Sequence, residues 1–158
     1  MNHQLGNFPH SQASTKECWW LRLGPVGSRA MAKAIKHRFD RLPIHKICSN
    51  HSNQPTDVIL KKLKELVSPG KAKRFLWSNK CNSIIETGHQ QDCIGMTPLH
   101  ILACSGIHDL ELYQLLIDEY PESLITQDIW GDIPLLYAFW GNAPREVAWR
   151  LVERHKFL

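Results

Sequence analysis

Three times in this chain a proline and an aliphatic residue open a segment whose apolar side chains recur at helical spacing. These starts are Pro43-Ile44-His45, Pro98-Leu99-His100 and Pro134-Leu135-Leu136. Proline is tolerated in the first turn of a helix because the missing N–H would have no partner there, and its fixed φ suits the helix. Behind each start lies a second helical pattern: Ile59, Leu60, Leu63, Leu66 and Val67, then Leu112, Leu115, Leu116 and Tyr120, then Val147, Ala148, Leu151 and Val152. A shift of 36 superposes Asp92–Leu99 on Asp128–Leu135, and a shift of 55 the other way superposes Pro98-Leu99-His100 on Pro43-Ile44-His45. The spacing predicts an all-α chain of three copied helix–turn–helix units, each stable only when stacked on its neighbours.

The best-formed copy is Asp92–Gly106, DCIGMTPLHILACSG. Thr97 stands where a helix N-cap belongs, and Pro98 then falls at the first helical position. Leu99, Leu102 and Ala103 follow at i, i+3, i+4 and give one apolar stripe. Gly95 occupies a turn position suited to φ > 0, and Asp92 can brace that turn.

On these residues the chain resembles the ankyrin-repeat family, whose signature is T-P-L-H-x-A. The frame around the core is similar as well. Asp92, Gly95, Thr97, Pro98, Leu99 and His100 are followed by Gly106 and then by Leu112-Tyr113-Gln114-Leu115-Leu116-Ile117. Leu102 stands where the signature has alanine, and Ile107 and His108 look like two residues added between the helices. The resemblance covers residues 30–158 and implies a short ankyrin-type solenoid with β-turn arms. Its repeats would span 30–67, 92–127 and 128–158, after a loose tail over 1–29 and around an insertion over 68–91. It also implies that Pro43, His45, Asp128, Gly131 and Pro134 repeat the structural roles of the central motif, the histidines bonding backbone between neighbouring repeats.

The copies degrade outward. Leu42 and Ile133 stand where Thr97 is, so both flanking helices lose the threonine cap. Leu136 replaces the histidine in the third copy, and Asp40 replaces the turn glycine in the first. Terminal repeats are expected to be atypical, since their outer faces have no neighbour.

Charge is divided along the chain. Residues 1–80 carry ten lysines and five arginines against four acids, a net +11, whereas residues 81–158 carry a net −7. Such polarity steers partners and does not set a fold. Residues 1–38 hold Glu17 as their sole acid, a weak likeness to an organelle transit peptide, and the start MNHQLGNFPHSQASTK lacks the apolar core of a secretory signal. The simpler reading is a loose tail whose Trp19-Trp20 pair docks on the first repeat. No apolar run reaches the roughly 18 residues a membrane-spanning helix needs. Five cysteines, an odd number, read as reduced thiols of an intracellular protein, cytoplasmic or nuclear.

Nothing in the pattern points to catalysis or to a cofactor. His45 with Cys48 and His100 with Cys104 lack the paired spacing that makes zinc motifs specific. Cys48 and Cys104 read as small core thiols, with no base placed to activate them. No glycine-rich phosphate loop is present. The insertion over 68–91 is the one stretch favouring nucleic acid. There Lys71, Lys73, Arg74 and Lys80 interleave with Phe75 and Trp77, a pairing that could neutralise phosphates and stack bases. This RNA reading is secondary.

The primary reading is an interaction module without enzymatic activity, whose partner is an unidentified protein. The resemblance implies contact through turn tips and the concave face of the first helices. Here those positions are Arg38, Phe39 and Arg41, then Cys93, Ile94 and Met96, then Ile129, Trp130, Asp132 and Trp140. Phe39, Ile94 and Trp130 hold the same place in all three copies and are expected to align as an exposed apolar stripe. The last helix carries Trp149 beside Val147, Ala148, Leu151 and Val152, more apolar groups than one face buries. That end is expected to associate, head to tail with a second copy or with a partner that completes the stack.

Overall fold

The computed structural model describes residues 37–49, 53–67 and 88–156. The expected tail and most of the insertion, including residues 71–80, lie outside the described residues. Among the described residues six α-helices follow in order: α1 Pro43–Cys48, α2 Thr56–Val67, α3 Pro98–Cys104, α4 Leu110–Glu119, α5 Pro134–Trp140 and α6 Arg145–His155. A 3-10 turn, Pro121–Leu124, follows α4, and no strand occurs among the described residues.

The helices form two layers. Short helices α1, α3 and α5 pack side by side in chain order, as do the longer α2, α4 and α6, and each short helix also packs on the long helix that follows it. Each short helix is too brief to be stable alone, so tertiary burial must hold it. Leu99, Leu102 and Ala103 of α3 are fully enclosed, as are Leu112, Tyr113 and Leu116 of α4. The central pair thus has neighbours on both sides, and truncating a leucine there should cost about 2–5 kcal/mol.

Local chemistry ends and joins the helices. Asp109 caps α4, its carboxylate accepting the Glu111 N–H at 2.8 Å and the Leu112 N–H at 3.4 Å. After α3 the chain turns through Gly106 at φ +73°, and at the matching place after α5 Asn142 takes φ +54°. Asparagine is among the few side chains that enter this region routinely. Across the outer layer, Lys64 of α2 faces Glu111 of α4 at 3.9 Å, and Arg154 of α6 pairs with Asp118 of α4. An acidic middle helix therefore lies between two basic ones.

Candidate interaction surface

The turns that precede α3 and α5 are copies of one another to the level of single bonds. In the first of them Asp92 Oδ1 accepts the N–H groups of Ile94 and Met96, at 2.9 and 3.0 Å. In the second Asp128 Oδ1 accepts those of Trp130 and Asp132 at the same distances. The Asp92 N–H donates to the Met96 carbonyl and the Asp128 N–H to the Asp132 carbonyl, closing each loop. Gly95 and Gly131 supply the positive φ each turn requires, +79° and +80°. The turn before α1 is built differently. His37 replaces the aspartate, Asp40 replaces the glycine, and the His37 ring meets the Asp40 carboxylate at 2.9 Å.

Neighbouring units are joined by backbone-directed side chains. His45 Nε2 donates to the Met96 carbonyl at 2.9 Å, and His100 Nε2 to the Asp132 carbonyl at 3.1 Å. The two acceptors hold equivalent places just before their helices. His100 Nδ1 accepts the Thr97 N–H at 3.1 Å and lies 2.8 Å from the Thr97 hydroxyl, completing a capping box in which histidine takes the usual place of glutamate. With Nδ1 accepting, the proton must sit on Nε2, so His100 is the neutral Nε2–H tautomer. Burial drives its pKa below the ordinary value, against the weaker pull of the Asp132 carbonyl. Gln91 adds a further bridge, donating to the carbonyls of Gly95 and Gln127.

These bonds decide which of the expected contact residues reach solvent. The aligned apolar stripe does not form a surface. Ile94 and Met96 are wholly buried and Phe39 nearly so, because the turn is clasped by its neighbours. The Ile94 carbonyl accepts the Ile129 N–H at 3.1 Å, and the Met96 carbonyl takes His45. Trp130 is half-buried and packs against the core. Arg38 is also withdrawn: its guanidinium lies 4.3 Å from the Phe39 ring centre and 3.6 Å from Asp92 Oδ2, with the side chain only 7% exposed. Burial lowers the Arg38 pKa, and Asp92 opposes that shift.

Arg41 and Cys93 are exposed, Ile129 is 54% exposed, Trp140 is 42% exposed, and Asp132 is partly so. Trp140 stands at the C-terminal end of an aromatic run. It meets Tyr137 edge to face at 5.3 Å, and Tyr137 meets His100 in the same way at 5.7 Å. The Tyr137 hydroxyl donates to Asp128 Oδ2, which ties α5 to the turn before it.

The outward face of the third unit holds Trp149, which the sequence singles out, together with two apolar residues that it does not, Leu136 and Phe139. Leu136 and Phe139 project from α5, Phe139 at 63% exposure, and Trp149 from α6 is 57% exposed. Their signal was present in the copies. Leu136 and Phe139 stand where the second unit has His100 and Ala103, both sealed beneath the third.

Among the described residues no group of three histidine, cysteine or carboxylate side chains could hold a metal ion. Burial, then the Asp92 carboxylate, pushes the Cys93 thiol above its ordinary value, which disfavours the reactive thiolate. No described helix is long and apolar enough to cross a membrane. No protein-family model, curated protein or solved structure matches this chain.

Proposed function

We propose that the chain is an ankyrin-type stack that binds a partner protein on the side formed by its turns and short helices, with Ile129 and Trp140 as the apolar contacts. The observation that carries this reading is the repeated histidine link, His45 to Met96 and His100 to Asp132. Three units joined in turn by the same bond at the same place form a repeating scaffold, and such scaffolds present extended surfaces for binding. On that scaffold Ile129 and Trp140 are exposed apolar side chains, and Arg41 and Asp132 supply exposed and partly exposed charge. Aromatic anchors beside polar groups are what protein interfaces enrich. The site would act within the cell, in cytoplasm or nucleus, where the thiols stay reduced.

The test compares proteins retained from native-cell extract by the wild-type chain and by Trp140→Ala and Ile129→Ala, quantified by mass spectrometry after nuclease treatment. A protein retained by wild type and lost from both variants supports the reading. Identical retention by all three overturns it.

A further inference from the structure

We infer that the outward face of the third unit is a self-association surface, on which two copies meet through antiparallel α6 helices with Trp149 at the two-fold axis. The face is defined by what covers its equivalents. His45 and Cys48 of α1, and His100 and Ala103 of α3, are completely buried beneath the following unit. The corresponding α5 residues, Leu136 and Phe139, are exposed. The substitutions also determine what can cover them. Leu136 has no nitrogen to donate to a neighbouring turn carbonyl, so the histidine link cannot recur. Phe139 replaces an alanine whose carbonyl lies so near the next unit that a side-chain carbon added at Gly141 would stand 2.9 Å from it. The Phe139 ring also stands where the second unit has only a methyl group, sealed beneath the third, so a further unit could not be seated in the same manner without displacing that ring.

The chemistry of α6 specifies the occupant. Arg154 reaches back to Asp118, so it marks the side of α6 that faces the preceding unit. At about 100° per residue, Arg145, Trp149, Val152 and Lys156 lie on the opposite side, with Glu153 at its edge. Arg145 and Glu153 are equally spaced about Trp149, four residues before it and four after. An isologous contact requires a patch that is complementary to itself. Two α6 helices crossing antiparallel at Trp149 set Arg145 of each copy against Glu153 of the other, on both sides of the paired indoles. The Glu153 carboxylate already has Arg150 at 3.9 Å, and Lys156 lies 5.7 Å from the Trp149 ring, so the patch carries both signs around an apolar centre. Head-to-tail stacking, which the division of charge along the chain suggested, is disfavoured at this face. Arg145, Arg150, Arg154 and Lys156 outnumber Glu146 and Glu153 on and just after α6, so the end meant to meet a basic first unit is itself basic.

Sedimentation velocity of the full chain across a micromolar series tests this, with Trp149→Ala, Arg145→Glu, Glu153→Arg and the double charge exchange measured alongside. Circular dichroism melts confirm that each variant is folded. The wild-type chain should pass from monomer to dimer, and no further. Trp149→Ala should abolish dimers in that range, and each single reversal should weaken them about tenfold. The double exchange, which restores opposite charges across the axis, should bring the dimer back to within a few-fold of wild type. A wild-type monomer at every concentration, growth beyond the dimer, or a double exchange no better than either single reversal would overturn the inference.

Discussion

The His45 imidazole crosses from the first unit to the second to donate its Nε2–H to the Met96 carbonyl, 2.9 Å away, and is itself completely buried. His100 repeats the contact one unit later. A buried acceptor left without its donor loses about 1–3 kcal/mol, so these two bonds set much of the coupling between units.

Acid should loosen that coupling at His100. Its folded pKa is depressed by burial from the ordinary 6.5, so the folded state holds it neutral while the unfolded chain takes up the proton. Its contribution is therefore complete above about pH 6.5 and is lost as pH falls from there through the depressed folded value. Urea midpoints at pH 7.5 and 5.5 should fall more for wild type than for His100→Leu, which mimics the third unit. Equal falls would mean that this ring does not titrate on unfolding.

Glycine is required to different degrees at two equivalent turns. Gly95 and Gly131 share a positive φ, which costs an alanine roughly 1–2 kcal/mol. Their surroundings differ. A side-chain carbon at Gly95 would stand 2.9 Å from the Ile129 nitrogen and 3.0 Å from Asp128 Cα, both backbone atoms, whereas at Gly131 nothing lies within 4 Å. Gly131→Ala should show the conformational cost alone. Gly95→Ala should lose clearly more, by prying the two turns apart. Thermal denaturation of both variants gives the difference, and equal losses would show that the turns yield freely.

Tyr113 offers a stabilising change. The residue is fully buried on α4, its hydroxyl has no hydrogen-bond partner among the described residues, and burial pushes its pKa far above the usual phenol value. Removing an unsatisfied buried hydroxyl relieves its desolvation cost while the ring keeps its packing. Tyr113→Phe should therefore gain about 1 kcal/mol. A loss of stability in chemical denaturation would mean that the hydroxyl is satisfied in solution.

Two periodic signals carried the fold. The X-Pro-aliphatic starts located α1, α3 and α5, and the helical spacing behind them located α2, α4 and α6, because both signals are local. Exposure was not local and was misread. Phe39 and Ile94 look like turn-tip contacts in the sequence, but whether a tip is free depends on what the next unit lays over it. A bond such as Ile129 N–H to the Ile94 carbonyl links residues 35 positions apart, and no spacing rule reports it. The exposed face at Phe139 was legible in principle, since the internal alignment sets a phenylalanine against a sealed alanine. What covers each position, rather than which positions match, decides its exposure.

Arg38 and Asp92 form the buried ion pair that replaces, in the second turn, what Tyr137 supplies to Asp128 in the third. The guanidinium lies 3.6 Å from Asp92 Oδ2 and both side chains are almost entirely withdrawn from water. Breaking such a pair from one side strands a charge and commonly costs about 3–5 kcal/mol, while replacing both partners costs much less. Asp92→Asn keeps a carbonyl oxygen that can still accept the N–H groups of Ile94 and Met96, but it removes the charge that offsets Arg38. Arg38→Met keeps an unbranched apolar stem over Phe39 and leaves the carboxylate with only its backbone donors. Each single variant should therefore be markedly destabilised. The double variant should lose less than the two single losses combined, with a coupling of roughly 1–3 kcal/mol. Urea denaturation of the four proteins closes the cycle. Additive losses would mean that water reaches the pair and that the two charges hold the first and second units together independently of one another.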